Sequence, residues 1–197
     1  MENVSGQIKG KMKGLFKEIL LTLKSLDYQV KVKLMNTKYY QVPQSRERLI
    51  YMGVRNDLYK EPSFPIPNTK ILTVGGVLRE IKPIVLKPLT KKEVGYWIKL
   101  KYGEKGDKVD PNGNWFGFRK LNPNKPAPTI IKSAGNGLCH WKEQRHFASN
   151  ELAILCSFPY NFKFIGTENQ RVDRMGNAVM PNMMKAIALN IKENILN

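Results

Sequence analysis

Residues 42–55 read VPQSRERLIYMGVR, and this stretch decides how the rest of the chain is interpreted. Its apolar second half predicts a strand. Gln44, Arg46 and Arg48 occupy alternating positions as the chain enters that strand, so their side chains should point the same way. Two guanidiniums and an amide on one face would form a donor-rich surface for a phosphate or a base carbonyl. A solvated, charged edge strand with Glu47 on its opposite face would explain the same spacing.

The preceding segment predicts a helix followed by another strand. Apolar residues recur at helical spacing within residues 6–26, which indicates an amphipathic helix. Residues 28–34 alternate between apolar and polar side chains, which is typical of a half-buried strand. A loop that contains a proline joins this strand to the strand at 48–55, so the two should form an antiparallel pair. The apolar residues of the helix are Leu15, Ile19, Leu20 and Leu23.

A change of composition separates the middle of the chain from its ends. The stretch after the second strand is rich in proline and contains a Gly-Gly pair, which predicts a boundary. Thr90 and Glu93 have capping-box spacing and begin a short predicted helix. The glycine- and asparagine-rich stretch that follows predicts short strands and long loops. We therefore expect a small, irregular domain at residues 60–145, between residues 1–59 and 146–197 of a helix–strand domain.

The last third of the chain predicts two further helices. SNELAILCSF begins at Ser149, and either Ser149 or Asn150 could cap a helix that ends at Pro159. GNAVMP begins at Gly176 and predicts a Gly-Asn turn followed by a helix with Pro181 in its first turn. The free backbone N–H groups at the start of that helix would suit a carboxylate or a phosphate. The apolar face of the last helix should comprise Val179, Met184, Ile187, Ala188 and Ile191.

The charge of the chain points to a polyanionic partner. Its 197 residues include 33 Lys and Arg against 16 Asp and Glu, a formal net charge of +17. An excess of this size is typical of proteins that bind nucleic acid. The codon usage of an AT-rich genome is an alternative explanation for the lysine excess, so charge alone does not settle the partner.

Cysteine usage and hydropathy indicate the compartment. Cys139 and Cys156 lie far apart without metal-ligand spacing, which favours a reducing compartment over a disulfide scaffold. His140 and His146 also lack ligand spacing. No apolar run approaches the length of a membrane span, and no secretory signal is visible. We therefore expect a cytoplasmic protein with no metal site and no membrane partner.

Four short motifs occur in an order that resembles a known family. Glu-Asn-Val at residues 2–4 precedes a helix, VPQSRER enters a strand, a variable segment follows, and NELAILCSFPYNFKFIG and GNAVMP come last. The same order is found in the C-terminal half of the DNA cytosine-5 methyltransferases, and the resemblance covers the whole chain. It implies an α/β fold: the C-terminal part of a Rossmann-like, S-adenosylmethionine-dependent methyltransferase domain, plus a small, irregular, mostly β target-recognition domain.

The resemblance implies roles for individual residues. Glu2 matches the acid that protonates or hydrogen-bonds N3 of the target cytosine, and Arg48 matches the arginine that reaches O2 of the same base. Arg46 matches the arginine near the nucleophile and the phosphate of the flipped nucleotide. These three are the expected catalytic residues. The loop that closes the S-adenosylmethionine pocket in this family matches Asn177, Ala178 and Val179.

The resemblance also implies a partner, double-stranded DNA. Residues 60–145 match the target-recognition domain in position, and KPAPTIIKSAGNG within them resembles the family's region that lies against the major groove. Gln44 is expected to support this surface, and Arg145 to reach the DNA backbone. The expected DNA-binding residues are Gln44, Arg119, Thr129, Ile130, Lys132, Asn136 and Arg145.

Two parts of the family's machinery have no match in this sequence. They are the Gly-rich turn that holds S-adenosylmethionine and the Pro-Cys motif that supplies the nucleophile. Because the first motif stands at Glu2, we expect half of an enzyme, either a fragment or one subunit of a split methyltransferase whose N-terminal partner subunit shares S-adenosylmethionine in a heterodimer. The alternative is a catalytically inert DNA-binding remnant or specificity factor. The expected origin is a bacterial, archaeal or phage restriction–modification system.

Overall fold

A three-stranded antiparallel sheet forms the first part of the fold. In the computed structural model, which describes residues 1–8, 12–132 and 137–196, its strands are β1 (Glu2–Val4), β2 (Tyr28–Asn36) and β3 (Glu47–Arg55). The strand order is β1-β3-β2, and β3 pairs antiparallel with both neighbours. The predicted antiparallel pair is confirmed. The alternative of a charged edge strand is wrong, because β3 is the central strand.

One face of this sheet carries both the hydrophobic core and the first charged residues of interest. Glu2 is paired with Ile50, and Arg48, Ile50 and Met52 alternate along β3. Paired and alternate residues point the same way in a sheet, so these four side chains share a face. Ile50 and Met52 are buried in the main hydrophobic cluster. The charged side chains therefore lie where that buried face reaches its edge.

Helix α1 (Lys13–Ser25) covers the other face of the sheet. The rings of Phe16 and Tyr51 lie 5.8 Å apart and join the helix to β3. The start of the predicted helix at 6–26 differs from the structure, because Ser5–Ile8 form a 3₁₀ turn; residues 9–11 of that prediction lie outside the described residues. No residue of α1 is buried. The large apolar side chains exposed on it and at its ends are Met12, Leu15, Leu21 and Leu26.

Strand β1 is hydrogen-bonded to a strand on one edge only, within the part of the chain that the structure describes. Met1 and Tyr51 exchange two backbone hydrogen bonds of 3.0 and 2.9 Å. Because such pairs alternate along an antiparallel ladder, the backbone N–H groups of Glu2 and Val4 point away from β3. The N–H of Val4 donates instead to Oδ1 of Asn3 at 2.8 Å.

The middle of the chain is irregular, as predicted, with short elements and long loops. Thr90 and Glu93 form the predicted capping box at the start of a helix. Two parallel strands of two residues each are the only ladder assigned here among the described residues. The elements of this part are α2 (Val74–Leu78), α3 (Lys91–Lys99), β4 (Arg119–Lys120) and β5 (Leu138–Cys139).

A second hydrophobic cluster lies within this middle part. Leu89, Leu100, Phe118 and Cys139 are buried together. Other residues of the middle part, among them Val74 and Ile130, are buried in the main cluster instead. The middle part thus has a small core of its own and also contributes to the main core. The domain boundaries at residues 60 and 145 stay a prediction.

Three helices complete the main core. Helix α4 (Ser149–Leu155) is followed by α5 (Glu168–Asn177) and α6 (Pro181–Ile191), and the last residues form a π-helical turn, Lys192–Leu196. Pro181 occupies the first turn of α6, as predicted. No helix within the described residues is both long enough and apolar enough to cross a membrane.

Two expectations about the last helices are wrong in detail. The Gly-Asn pair at residues 176–177 forms the end of α5 rather than a turn before α6. The buried residues of α6 are Met183 and Ile187, whereas Met184 is 41 % exposed and Ala188 is also exposed. The buried face of α6 is therefore displaced by about one residue from the predicted face.

The predicted caps of α4 are also wrong. The hydroxyl of Ser149 donates to Glu168 at 2.6 Å, and the amide of Asn150 donates to the backbone oxygen of Lys82 at 2.8 Å. At the start of the helix, the N–H of Ala148 donates to the carboxylate of Glu151 at 2.9 Å, so the contact comes from a residue inside the helix. Both polar residues are used to tie α4 to its neighbours.

Candidate active-site cleft

A cleft of about 500 Å³ opens where β1, the start of β3, the middle part of the chain and the end of α5 meet. We call it the active-site cleft. All three expected catalytic residues line it, and two of them, Glu2 and Arg48, are in direct contact. Its lining residues are Glu2, Asn3, Val4, Arg46, Arg48, Ile131, Lys132, Gly176 and Asn177.

Glu2 and Arg48 form an ion pair in this cleft. Nε of Arg48 lies 2.5 Å from Oε1 of Glu2, and the two side chains are 13 % and 30 % exposed, respectively. The pair forms because the two residues share a sheet face and sit diagonally across the β1–β3 ladder. Nη1 of Arg48 also donates to the backbone oxygen of Glu47 at 2.8 Å. A carboxyl group and a guanidinium are thus held side by side, both accessible from the cleft.

Arg46 occupies a different environment from Arg48. It is buried, and its two terminal nitrogens donate to the backbone oxygens of Ile130 and Gly176, at 2.8 Å each. Nε of Arg46 is buried without a hydrogen-bond partner among the described residues. Burial, and to a smaller extent the neighbouring charge of Arg48, lowers the pKa of this guanidinium. The side chain ties the middle part of the chain to the end of α5 and holds one wall of the cleft.

A close backbone approach, which the sequence does not predict, reinforces this tie. Gly176 packs so tightly that a Cβ added there would collide with the backbone of Ile131 and Lys132. The segment 130–132 and the end of α5 therefore touch directly. The Gly-Asn pair predicts a turn, because a single sequence offers no signal that distinguishes a turn glycine from one required for close packing.

Three residues expected to contact DNA lie in the interior. Gln44 is fully buried; its Oε1 accepts from the N–H of Ile130 at 3.0 Å, and its amide nitrogen faces Cys156 at 3.3 Å. Ile130 is fully buried as well. Arg145 is buried and forms a two-pronged ion pair with Glu151 at 2.8 and 2.9 Å. Gln44 and Ile130 have no free surface for DNA, and both terminal nitrogens of Arg145 are committed to Glu151, so we reassign all three to structural support.

Two of the remaining expected residues line a groove beside the cleft. Arg119 and Thr129 border a cavity of about 420 Å³, which shares Ile131 with the active-site cleft. Phe116 projects from the same groove and is 73 % exposed. The charged residues that line it are Lys105 and Arg119, both basic. We call this the recognition groove.

The other expected residues have mixed positions. Lys132 is exposed and lines the active-site cleft. Asn136 lies outside the described residues. Of the loop expected to bind the methyl donor, Asn177 is exposed in the cleft, while Ala178 and Val179 pack against the main hydrophobic cluster.

Neither cysteine belongs to the cleft. Both are free and buried, and burial raises the pKa of each thiol to about 12. Cys139 lies in the second hydrophobic cluster and Cys156 in the main one. Within the described residues, no group of histidine, cysteine or acidic side chains could hold a metal ion.

Comparison with solved structures identifies the class of fold. The chain superimposes over its whole length on 69 % of a DNA modification methyltransferase encoded within a prophage of E. coli, with a TM-score of 0.81 and 19 % identity. It covers 63 % of the S. pombe Dnmt2 methyltransferase with a TM-score of 0.66 and 15 % identity. The mixed α/β chain is thus part of a Rossmann-like methyltransferase domain, and the predicted fold class is confirmed.

Sequence comparison identifies the family. The chain belongs to the C-5 cytosine-specific DNA methylase family, whose model matches residues 1–193. It is 30 % identical over 94 % of its length to the type II methyltransferase M.PspPI of Psychrobacter, covering 51 % of that protein. It is also 30 % identical to M.BsuFI of Bacillus subtilis, covering 47 % of that protein. The chain spans about half the length of these curated relatives.

Proposed function

We propose that this chain is a component of a DNA cytosine-5 methyltransferase that forms the base-activating half of the active site and carries the target-recognition domain. The observation that carries the proposal is the ion pair of Glu2 and Arg48, which is accessible in a cleft bordered by the middle part of the chain and the end of α5. Membership of the family and relatives that are type II methyltransferases support the same activity. The chain would act in the cytoplasm.

The pair has the chemistry that methylation of cytosine at C5 requires. A thiolate that adds to C6 places electron density on the ring, and C5 then attacks an electrophilic methyl group. A carboxylic acid at N3 stabilises that density by donating a hydrogen bond or a proton, which is the role we assign to Glu2. Arg48 would donate to O2 and orient Glu2 through their contact. The target base must leave the helix to reach this cleft.

Arg46 serves this reaction indirectly in our proposal. Its terminal nitrogens are committed to the backbone oxygens of Ile130 and Gly176. We therefore treat it as a positioning residue that keeps the recognition segment against α5. This revises the role that resemblance implied for it, contact with the flipped nucleotide.

The methyl donor would bind beside Asn177. This residue is exposed at the cleft rim, and the neighbouring Ala178 and Val179 are anchored in the core, so the loop offers a fixed wall. S-adenosylmethionine supplies the electrophilic methyl group when bound. The Gly-rich turn that would complete its pocket has no counterpart in this sequence.

The nucleophile must come from outside this sequence. Its two cysteines are buried away from the cleft with a raised pKa, so neither thiol is available as a thiolate at neutral pH. We propose that an N-terminal methyltransferase subunit supplies both the cysteine and the donor site in a heterodimer. Two features offer a docking surface for it: the open edge of β1 and the exposed apolar residues of α1.

Double-stranded DNA would lie along the recognition groove and the active-site cleft. Arg119 forms no ion pair within the described residues and can pair with both acceptors of a guanine edge. Phe116 offers an apolar contact next to it. Thr129 is exposed, and its hydroxyl donates to the backbone oxygen of Ser45 at 3.0 Å, which fixes the side chain at the groove. Lys132 would add a backbone contact.

Methyl transfer from labelled S-adenosylmethionine to unmethylated duplex DNA tests the proposal. The chain is assayed alone and together with the product of a neighbouring reading frame that carries the Pro-Cys and Gly-rich motifs. We expect activity only in the mixture. Activity of the chain alone would contradict partner dependence, and silence in both would favour an inert DNA-binding remnant or specificity factor.

A substitution tests the assignment of Glu2 within the active mixture. Glu2→Gln should lower methyl transfer by about 10²–10⁴-fold while duplex binding changes less than about twofold, because the lost proton donor matters only as charge develops on the ring. Glu61→Gln is the matched control, since Glu61 pairs with Lys31 on an exposed surface. Retention of activity by Glu2→Gln would exclude Glu2 as the activating acid.

A further inference from the structure

A second cleft, of about 600 Å³, lies apart from the active site and the recognition groove. We call it the basic cleft. It shares no lining residue with the other two. One segment connects them, because Pro123 and Asn124 line the basic cleft while Arg119 and Thr129 line the recognition groove. The polar and aromatic residues that matter here are Arg79, Lys82, His140, Trp141 and Lys142.

His140 presents a fixed N–H donor at this cleft. Its Nδ1 accepts hydrogen bonds from the backbone N–H groups of Lys142 and Glu143, at 3.2 and 3.0 Å. An accepting Nδ1 carries no proton, so in the neutral ring the proton sits on Nε2. Burial and the nearby charge of Arg145 lower the pKa of His140 to about 4, which keeps the ring neutral at pH 7.

Nε2 of His140 is left for a ligand. The residue is only 6 % exposed, and Nε2 makes no hydrogen bond to any described residue. Among the described residues, the fully buried side-chain atoms without a partner do not include Nε2 of His140. The ring is held in place by stacking on Trp141, with centroids 3.9 Å apart. Because Nδ1 accepts two hydrogen bonds and Nε2 accepts or donates none among the described residues, the Nε2–H group is a preorganised donor.

The charges around this donor are unevenly balanced. Arg145 pairs with Glu143 at 2.6 Å and with Glu151 at 2.8 Å, so this triad carries a net charge of −1. Within the described residues, Arg79, Lys82 and Lys142 have no such carboxylate, although all three line the cleft. The acidic groups of the cleft are therefore already committed, and the uncommitted groups are three cations and one N–H donor. That combination suits a phosphate group.

We infer that the basic cleft binds a backbone phosphate of duplex DNA, as a sequence-independent contact separate from target recognition. The inference rests on the proposed function, because it needs the same duplex that occupies the recognition groove. The shared segment 119–131 places the two contacts on one structural unit. The cleft fixes the position of the duplex and the groove reads its bases, so the two contributions to binding are separable.

The salt dependence of duplex binding tests this inference. The affinity of the full chain is measured for a fluorescent duplex of about 30 base pairs at KCl concentrations between about 50 and 300 mM. Each lost phosphate contact should reduce the slope of log K against log salt by about 0.9. Because both lysines face the same phosphate, Lys82→Ala/Lys142→Ala should reduce it by about 0.9, equally for unrelated duplex sequences. Lys185→Ala, which removes an exposed lysine that lines neither cleft nor groove, should leave it unchanged.

A second measurement examines His140 itself. Inorganic phosphate is titrated into the ¹⁵N-labelled chain, and the Nε2–H resonance of His140 should shift and saturate. His140→Gln, which retains a donor, should keep most of the duplex affinity, whereas His140→Phe should lose several-fold. Thermal unfolding of both variants confirms that they are folded.

The outcomes separate the inference from the proposed function. An unchanged salt slope in Lys82→Ala/Lys142→Ala, with normal duplex binding by the unsubstituted chain, overturns the phosphate assignment alone. Phosphate binding at His140 with an unchanged slope assigns the cleft to a free anion and also overturns it. No duplex binding by the unsubstituted chain, with or without its partner subunit, refutes the proposed function as well.

Discussion

Replacing Arg46 by lysine should destabilise the protein although the charge is kept. The two terminal nitrogens of Arg46 reach two backbone oxygens at 2.8 Å each, whereas the compact ammonium of lysine lacks the planar fork that spans both. Losing a hydrogen bond from a charged donor costs about 1.5–3 kcal/mol. The substitution also removes the unpartnered Nε, which recovers about 1 kcal/mol. The free energy of unfolding should therefore fall by about 0.5–2 kcal/mol.

Urea unfolding followed by tryptophan fluorescence measures this change by linear extrapolation. The control is Arg55→Lys, because Arg55 and Asp57 pair on the surface with side chains 59 % and 63 % exposed. That control should stay within about 0.5 kcal/mol of the unsubstituted chain. Amide hydrogen exchange should also be faster around Ile131 in Arg46→Lys. A change in stability no larger than that of the control would refute the positioning role and return Arg46 to the cleft.

Three further predictions concern packing, pH and thiol reactivity. Gly176→Ala should cost about 1–3 kcal/mol in urea unfolding, since the new methyl group collides with the backbone of Lys132, whereas Gly95→Ala in α3 has open space and should be neutral or stabilising by up to about 1 kcal/mol. The pKa of His140 is about 4 in the folded chain and about 6.5 in the unfolded chain, so between these pH values only the unfolded chain is protonated there. As the pH is lowered from 6.5 to about 4, the free energy of unfolding should therefore decrease by up to about 3 kcal/mol more than in His140→Gln. Equal pH slopes in the two proteins would contradict this. Cys139 and Cys156 should resist an aromatic disulfide reagent at pH 8 in the folded chain and react after unfolding, and rapid labelling of the folded chain would contradict their burial.

Local patterns in the sequence were enough to predict the elements that depend on local chemistry. The alternation in residues 28–34 predicted the partly exposed β2, and the apolar run in residues 48–55 predicted β3, which is buried over most of its length. Thr90 with Glu93 predicted the start of α3, and Pro181 predicted the start of α6. In each case the cause lies within a few residues of the element.

Features that depend on distant neighbours could not be predicted in the same way. Met184 looked like part of the buried stripe of α6, but the packing of other elements selects Met183 instead. Ser149 looked like a cap, but Glu168 takes its hydroxyl. The motif order pointed to Glu2, Arg46 and Arg48 alike. It could not separate Arg48, which is accessible from the cleft, from the buried Arg46, because identical side chains two residues apart differ only in what packs on them.

The internal hydrogen bond from Val4 to Asn3 bears on how the free protein behaves at high concentration. An open strand edge invites a second copy of the same chain to add to the sheet, which leads to aggregation. Asn3 occupies one of the two outward N–H groups of β1 and so leaves this edge a poorer template for self-association. Any strand that docks there must displace the Asn3 side chain first, so correct pairing needs complementary contacts beyond the backbone. In the proposed heterodimer, the Asn3 side chain would therefore influence both the solubility of the free chain and the selectivity of docking.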